Sequence, residues 1–142
     1  MNKTIAVIGG GNGAHTLAAD LVLRGFSVRM YENPEYMDRL GELSRTLTIH
    51  IDGLIKGTAR IDMLTDYMKE AIEGVDYIVA AVPSFAHESI AESMKGVVNK
   101  EQVVILLPGS FGSLVFKKIL GDDCPVMAET NNLPYDTRIK GP

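Results

Sequence analysis

Tryptophan is absent from this 142-residue chain, cysteine occurs once and histidine three times. A lone Cys124 excludes an internal disulfide. With His15, His50 and His87 scattered along the chain, no spacing suits a metal, and no metal site is expected. Clusters of Lys and Arg are missing as well. The formal charge is -4, and a nucleic-acid surface needs a basic patch. No apolar run approaches the ~20 residues of a membrane-spanning helix. The start, MNKT, carries one Lys, and the apolar stretch behind it soon breaks into glycine, unlike a signal peptide. These absences exclude nucleic acid and membrane as partners and make the cytoplasm the expected compartment.

What is present is ordinary in amount and specific in order. The length suits one domain with one core. Short β-branched or apolar runs at 4–9, 27–32, 77–82, 102–107 and 124–129 predict buried strands. Between them lie helical stripes. Ala14, Leu17, Ala18, Leu21 and Val22 form the first, with Gly25 placed as its C-terminal cap. Tyr36, Met37 and Leu40 share a face in 34–43. A short helix capped by Thr65 or Asp66 should stop at Gly74, Ile90, Met94 and Val97 mark another, and 113–120 a last one before Gly121. Residues 47–61 alternate, and Asp52-Gly53 predicts a two-residue hairpin turn there. Strands joined by helical crossovers make an α/β, Rossmann-type doubly wound fold, a mainly parallel sheet with helices on both faces. We assign it to 1–130, with 131–142 as a polar tail or linker.

Four glycines fall within five positions, 9 to 13, between the first strand and the first helix. Gly9, Gly11 and Ala14 match G-x-G-x-x-A, and the strand-before, helix-after context gives the match its weight. Gly9 permits a sharp exit from the strand, Gly11 lets a pyrophosphate approach the backbone, and Ala14 lets the helix pack closely on the strand. Gly10, Asn12 and Gly13 complete the loop. Free N–H groups at the positive end of the helix then favour an anion. No Gly-Lys-Ser/Thr follows, so a P-loop is excluded. The plainer alternative is a corner with no ligand.

Glu32 ends the second strand about twenty residues on, where a carboxylate accepts hydrogen bonds from an adenosine ribose and repels a 2′-phosphate. NAD is therefore the preferred cofactor, with NADP admitted. The loops Val82-Pro83-Ser84 and Pro108-Gly109-Ser110 follow later strands and should lie on the same rim, near the nicotinamide half. Ser84 and Ser110 read equally as helix N-caps. His15 falls in the first turn of its helix, where the dipole disfavours protonation, so it is a neutral donor near phosphate or a packing residue. His87 is expected one turn into its helix, bordering the nicotinamide. His50 reads as a plain strand residue.

The stretch IAVIGGGNGAHTLAADLVLRG resembles the opening of the octopine/nopaline (opine) dehydrogenases. VPSFAHESIAE, LLPGSFGSLVF and AETNNLPY resemble later blocks of the same N-terminal domain, in the same order. The resemblance covers nearly the whole chain. It implies NAD(P)H-dependent reductive condensation of an amino acid with an α-keto acid, acting on a CH–NH bond in reverse. It places the pyrophosphate on Gly9 to Ala14, the ribose on Glu32, and the nicotinamide side against Pro83, Ser84 and 108–110.

Two departures qualify it. Asp136-Thr137 stand before Arg138, where the family tends to have small residues or Cys, which leaves the substrate class open. The family also has a second, mostly helical domain with a catalytic His and its acidic partner, which would start near Pro142. The chain is therefore expected to bind cofactor without turnover, with no catalytic residue of its own, and a homodimer would form through an apolar face left uncovered. A glycerol-3-phosphate dehydrogenase or ketopantoate reductase type of enzyme, and a stand-alone NAD-binding redox module, are the alternatives.

Overall fold

The structure, a computed structural model, describes residues 3–140. Met1 and Asn2 of the start, and Gly141 and Pro142 of the expected tail, lie outside the described residues. In chain order the elements are β1 (Thr4–Ile8), α1 (Asn12–Leu23), β2 (Ser27–Tyr31), a 3-10 helix (Pro34–Leu40), α2 (Leu43–Thr46), β3 (Thr48–Ile51), β4 (Gly57–Arg60) and β5 (Met63–Thr65). There follow α3 (Met68–Ile72), β6 (Tyr77–Ala80), a 3-10 turn (Ser84–Ala86), α4 (His87–Met94), β7 (Val103–Leu106), α5 (Gly112–Leu120) and β8 (Val126–Glu129).

Six strands form one sheet in the order β5-β2-β1-β6-β7-β8, and every pairing in it is parallel. The order reverses at β1, which lies between β2 and β6. Side chains alternate across a strand, and both faces are filled. Ala6, Ile8, Ile78, Ala80, Val104 and Leu106 face α3, α4 and α5, meeting Ile72, Ile90, Met94 and Phe116. Ile5, Val7 and Val79 face the other way, into Ala14, Leu17 and Ala18 of α1 and into Ile49 and Ala59 of the hairpin. That two-sided burial is why these strands read as continuous apolar runs. Each buried Ile or Leu stabilises the fold by about 1.5–3 kcal/mol.

The Rossmann-type expectation holds, and the first helix ends as its sequence predicts. Gly25 takes φ +92°, and the Phe26 amide reaches back to the Leu21 carbonyl at 3.0 Å, the wide bond of a Schellman cap. Local expectations need correction, among them the cap of α3, which is Tyr67 and not Thr65 or Asp66. Residues 34–40 form a 3-10 helix, with Leu40 its one buried residue, so no apolar stripe enforces α geometry. The antiparallel hairpin exists, but its last pair is Ile51 with Gly57, so Asp52-Gly53 opens a longer loop rather than making a two-residue turn. Strand β5 was not anticipated; it is three residues long and pairs on one side with β2. Val97 lies beyond α4, which ends at Met94.

The 131–140 segment is not a free linker over its described length. It runs along α1, with Leu133 over Gly13 and with hydrogen bonds to Asn12, Thr16 and Asp20.

Candidate functional site

A sheet of parallel strands brings every strand's carboxyl end to one edge, and a crevice opens where the strand order reverses. Here that edge carries the glycine corner. Gly9 has φ +112°, a left-handed conformation that side chains resist. A Cβ on it would also stand 2.8 Å from the Ala81 carbonyl oxygen and 2.9 Å from Val82 Cγ1. The fold itself therefore requires glycine at position 9. Gly10 is fixed from the other side, because a Cβ there would collide with the Glu32 carboxylate and Leu40.

Gly11 is different. Its φ is -78°, open to any residue, and a Cβ on it would meet nothing within 4 Å. No side chain among the described residues caps α1, whose N-cap is Gly11 itself. The start of that helix thus has no side-chain cap and an unobstructed backbone at Gly11, features an anionic phosphate can use. Ala14, wholly buried, lets the helix lie close on the sheet. Asn12 and Gly13 open the helix, and Gly13 is covered by Leu133.

Glu32 follows β2 directly, half-buried, and its Oε1 accepts from the Asn33 amide at 2.8 Å. Its other oxygen lies against Gly10. The glycine loop, Glu32 and Val82 are thus one contiguous corner although they are far apart in sequence. His15 Nδ1 lies 3.1 Å from the Gly11 carbonyl oxygen. Burial lowers its pKa, opposed by backbone hydrogen bonds to Gly11 and Gly10. Desolvation is the leading cause, and in the neutral ring the one N–H is Nδ1–H, donated to the Gly11 carbonyl.

Beyond β6, Pro83 and Ser84 are exposed, and Phe85 next to them is 84% exposed. Neither Ser84 nor Ser110 caps a helix, contrary to the plainer reading of each. The N-caps of α4 and α5 are Ala86 and Phe111, without side-chain cap bonds of their own. His87, one turn beyond Ser84 as expected, is the first residue of α4 and is 2% exposed, with its ring under Gly112 and edge-on to Phe116 at 6.2 Å. Burial lowers its pKa, and Nε2 has no partner among the described residues. It is buried beneath the loop at Gly112.

The corner after β7 holds what the sequence reading missed. The Leu107-Pro108 peptide is cis, and Ser110 and Phe111 have φ of 49° and 63°. Glu129, at the end of β8, turns its carboxylate into the start of α5, where the Phe111 amide donates to Oε2 at 3.0 Å and the Ser113 amide to Oε1 at 2.6 Å. The same residue packs against Gly109 so closely that no Cβ would fit there. The Ser113 side chain, then the two amides, hold this carboxyl below its ordinary range against an opposing effect of burial. Only an acid at a strand end, in the block AETNNLPY, marked it in advance.

His50 is exposed on β3, with Nδ1 3.0 Å from Thr58 Oγ1, a plain strand residue as read. A cleft of about 590 Å³ lies between α1, the hairpin and the tail, with Asn12, His15, Arg39 and Arg138 in its walls. It adjoins the glycine corner and does not include Gly9, Gly10 or Gly11. Among the described residues no group of His, Cys, Asp or Glu suits a metal, and no helix is long and apolar enough to cross a membrane.

A family model described as the NAD-dependent glycerol-3-phosphate dehydrogenase N-terminus matches residues 4–116. Over 146 residues the chain is 35% identical to an opine dehydrogenase of Arthrobacter sp. (strain 1C), covering 99% of this chain and 40% of the relative. Over 151 residues it is 32% identical to octopine dehydrogenase of Pecten maximus, covering 99% and 38%. An octopine dehydrogenase structure with NADH and pyruvate superposes with a TM-score of 0.87 at 28% identity, over 98% of this chain and 38% of that one. The chain thus spans about two fifths of the length of the relatives it matches.

Proposed function

The chain belongs to the NAD-dependent glycerol-3-phosphate dehydrogenase N-terminus family and is homologous to the NAD-binding domain of opine dehydrogenases, and from that premise we propose that it is the cofactor-holding part of an opine-type dehydrogenase. The opine branch is favoured within the family because the family model ends at residue 116. The opine relatives align over 99% of this chain, through the β8 acid and the tail.

One observation carries the assignment: the uncapped amino end of α1 opens at Gly11 onto free space, beside Glu32. Gly11, Asn12 and Gly13 would hold the pyrophosphate with their amides, and His15, its Nδ1 turned to the Gly11 carbonyl, would border them as an uncharged packing residue. Glu32 would accept the ribose hydroxyls and repel a 2′-phosphate, which makes NAD the preferred cofactor and NADP the weaker one. Val82, Pro83, Ser84 and the Pro108–Ser110 loop, exiting adjacent strands, would bound the nicotinamide half. When bound, the cofactor supplies or takes the hydride. This chain's residues fix its orientation against the rim.

The reaction of the whole protein would join an amino acid and an α-keto acid, with its proton-transfer groups on a further domain for which 131–142 is the lead-in. The cytoplasm is the compartment that fits a single thiol and a reducing cofactor, and any homodimer would use the exposed apolar rim at Phe85 and Phe111.

The test is a calorimetric titration of the chain with NADH and NADPH, repeated on Glu32→Ala. NADH should bind more tightly, and the substitution should narrow the gap by roughly tenfold, the weight of one charge-assisted contact. Failure of both nucleotides to bind would overturn the assignment, and an unchanged gap would remove Glu32 from it.

A further inference from the structure

We propose that Leu133–Ile139 is a strap that positions the amino end of α1 and thereby raises its affinity for the dinucleotide, without touching the ligand. The inference rests on the cofactor site proposed above and adds Tyr135, Thr137, Thr16 and Asp20 to it as positioning residues.

Asn12, Thr16 and Asp20 are spaced four apart and so share one stripe of α1. The stripe is polar, yet Thr16 and Asp20 are only 7% and 8% exposed. Polar groups buried that deeply need partners, and alternate residues of the tail provide them. The Tyr135 hydroxyl donates to Asp20 Oδ2 at 2.9 Å. The Thr16 hydroxyl, 3.0 Å from the Asn12 carbonyl of its own helix, lies closer still to Thr137 Oγ1, at 2.8 Å, and the Ile139 amide donates to Asn12 Oδ1 at 2.9 Å. The side chains of 135 and 137 and the backbone amide of 139 thus turn toward α1. Asp136 and Arg138 between them face outward and pair with each other at 3.3 Å.

The tail also touches the end where the ligand would bind. Leu133 covers Gly13, and the Thr137 hydroxyl reaches the Asn12 carbonyl at 3.4 Å. Asn12 is therefore held at its side chain and its carbonyl by the tail, while its own amide belongs to the free amino end of the helix. At the far end, the second oxygen of Asp20 is fixed by Arg24 Nε at 2.7 Å, so the anchor for Tyr135 cannot swing. A helix end fixed in this way does not have to be ordered by the ligand that it binds. Linkage makes the effect reciprocal: if the strap tightens the dinucleotide, the dinucleotide must tighten the strap.

The experiment reads both directions on the 142-residue chain. NADH affinity is measured by calorimetry for the parent and for Tyr135→Phe/Thr137→Val. Trypsin cleavage after Arg138 is followed by mass spectrometry with and without NADH. The double variant should bind NADH roughly three- to tenfold more weakly. Saturating NADH should slow cleavage after Arg138 by a similar factor in the parent, and not in the variant. Cleavage after Lys56, in the hairpin loop, should be unaffected by NADH, and Thr137→Ser, which keeps the hydroxyl, should bind as the parent does. A fold defect in the double variant would appear as faster cleavage at Lys56, and in that case the parent's protection at Arg138 alone decides. Equal NADH affinity in a folded variant, or cleavage at Arg138 indifferent to NADH, overturns the strap while leaving the cofactor site standing. A parent chain that does not bind NADH overturns both.

Discussion

Two strand-to-helix corners stand on the same edge of the sheet and are made of the same parts. β1 turns into α1 through Gly9, Gly10 and Gly11, and β7 turns into α5 through Pro108, Gly109 and Ser110. Each presents the amino end of a helix to the rim, where backbone amides call for negative charge. At α5 the chain answers with its own acid, Glu129, held by the Phe111 and Ser113 amides. At α1 no side chain among the described residues answers, and a Cβ on Gly11 would meet nothing within 4 Å. The difference is physical: one corner is closed by an internal anion, and the other, where we propose the cofactor binds, is left uncapped.

The largest break in that contrast comes from the glycines. Gly9→Ala should cost about 2–3 kcal/mol in urea unfolding, from its positive φ and its closeness to Ala81, and should abolish NADH binding. Gly11→Ala should leave stability within about 0.5 kcal/mol and still weaken NADH by roughly tenfold or more, because the lost space belongs to the ligand. A Gly11→Ala variant that binds normally would erase the distinction between the corners.

The second corner is tested by charge. Because the folded Glu129 carboxyl ionises below its ordinary range, its stabilisation is complete above the unfolded value near 4.5 and is lost as pH falls through the folded value. Glu129→Gln should cost about 1 kcal/mol near pH 7, toward the low end for a cap because the carboxylate is exposed. The gap should close as acid melts of parent and variant converge, once pH falls below the unfolded value of 4.5 and through the folded one. NADH affinity in the variant should hold to within about threefold. A gap that persists in acid would mean that the cap works by shape and not by charge.

The smallest effect is expected at Ser110, whose φ of 49° suits glycine better than serine. Ser110→Gly should stabilise by about 0.5 kcal/mol, relief of strain offset by added freedom in the unfolded chain, and would show as a small rise in melting temperature.

Much of this was legible in advance, for a physical reason. Strands buried on both faces must be apolar throughout, so β1, β6 and β7 announce themselves, and the glycine corner follows from where β1 stops and α1 starts. What was not legible depends on partners remote in sequence. Strand β5 is too short for its own period and exists because β2 offers it an edge. Glu129 acquires its role from amides in a different loop. The tail shows no local pattern because the pattern it obeys, the polar stripe at Asn12, Thr16 and Asp20, is written on a helix more than a hundred positions earlier. The burial of His87 beneath Gly112 likewise comes from a loop that follows a different strand.

The reversal of strand order at β1 sets the timetable by which the glycine corner can take shape. β1 finds β2 early, as a near neighbour in the chain, but Ile5 pairs with Tyr77 and Ile8 with Ala80, and Gly9 leans on Ala81 and Val82. Closing that long loop costs about 1 kcal/mol more than closing the one between β1 and β2. Half of the chain must therefore be in place before Gly9 has the neighbours that force its conformation. A dinucleotide has no finished corner to recognise before then. Once bound, it stabilises by mass action the long-range pairing that is slowest to form.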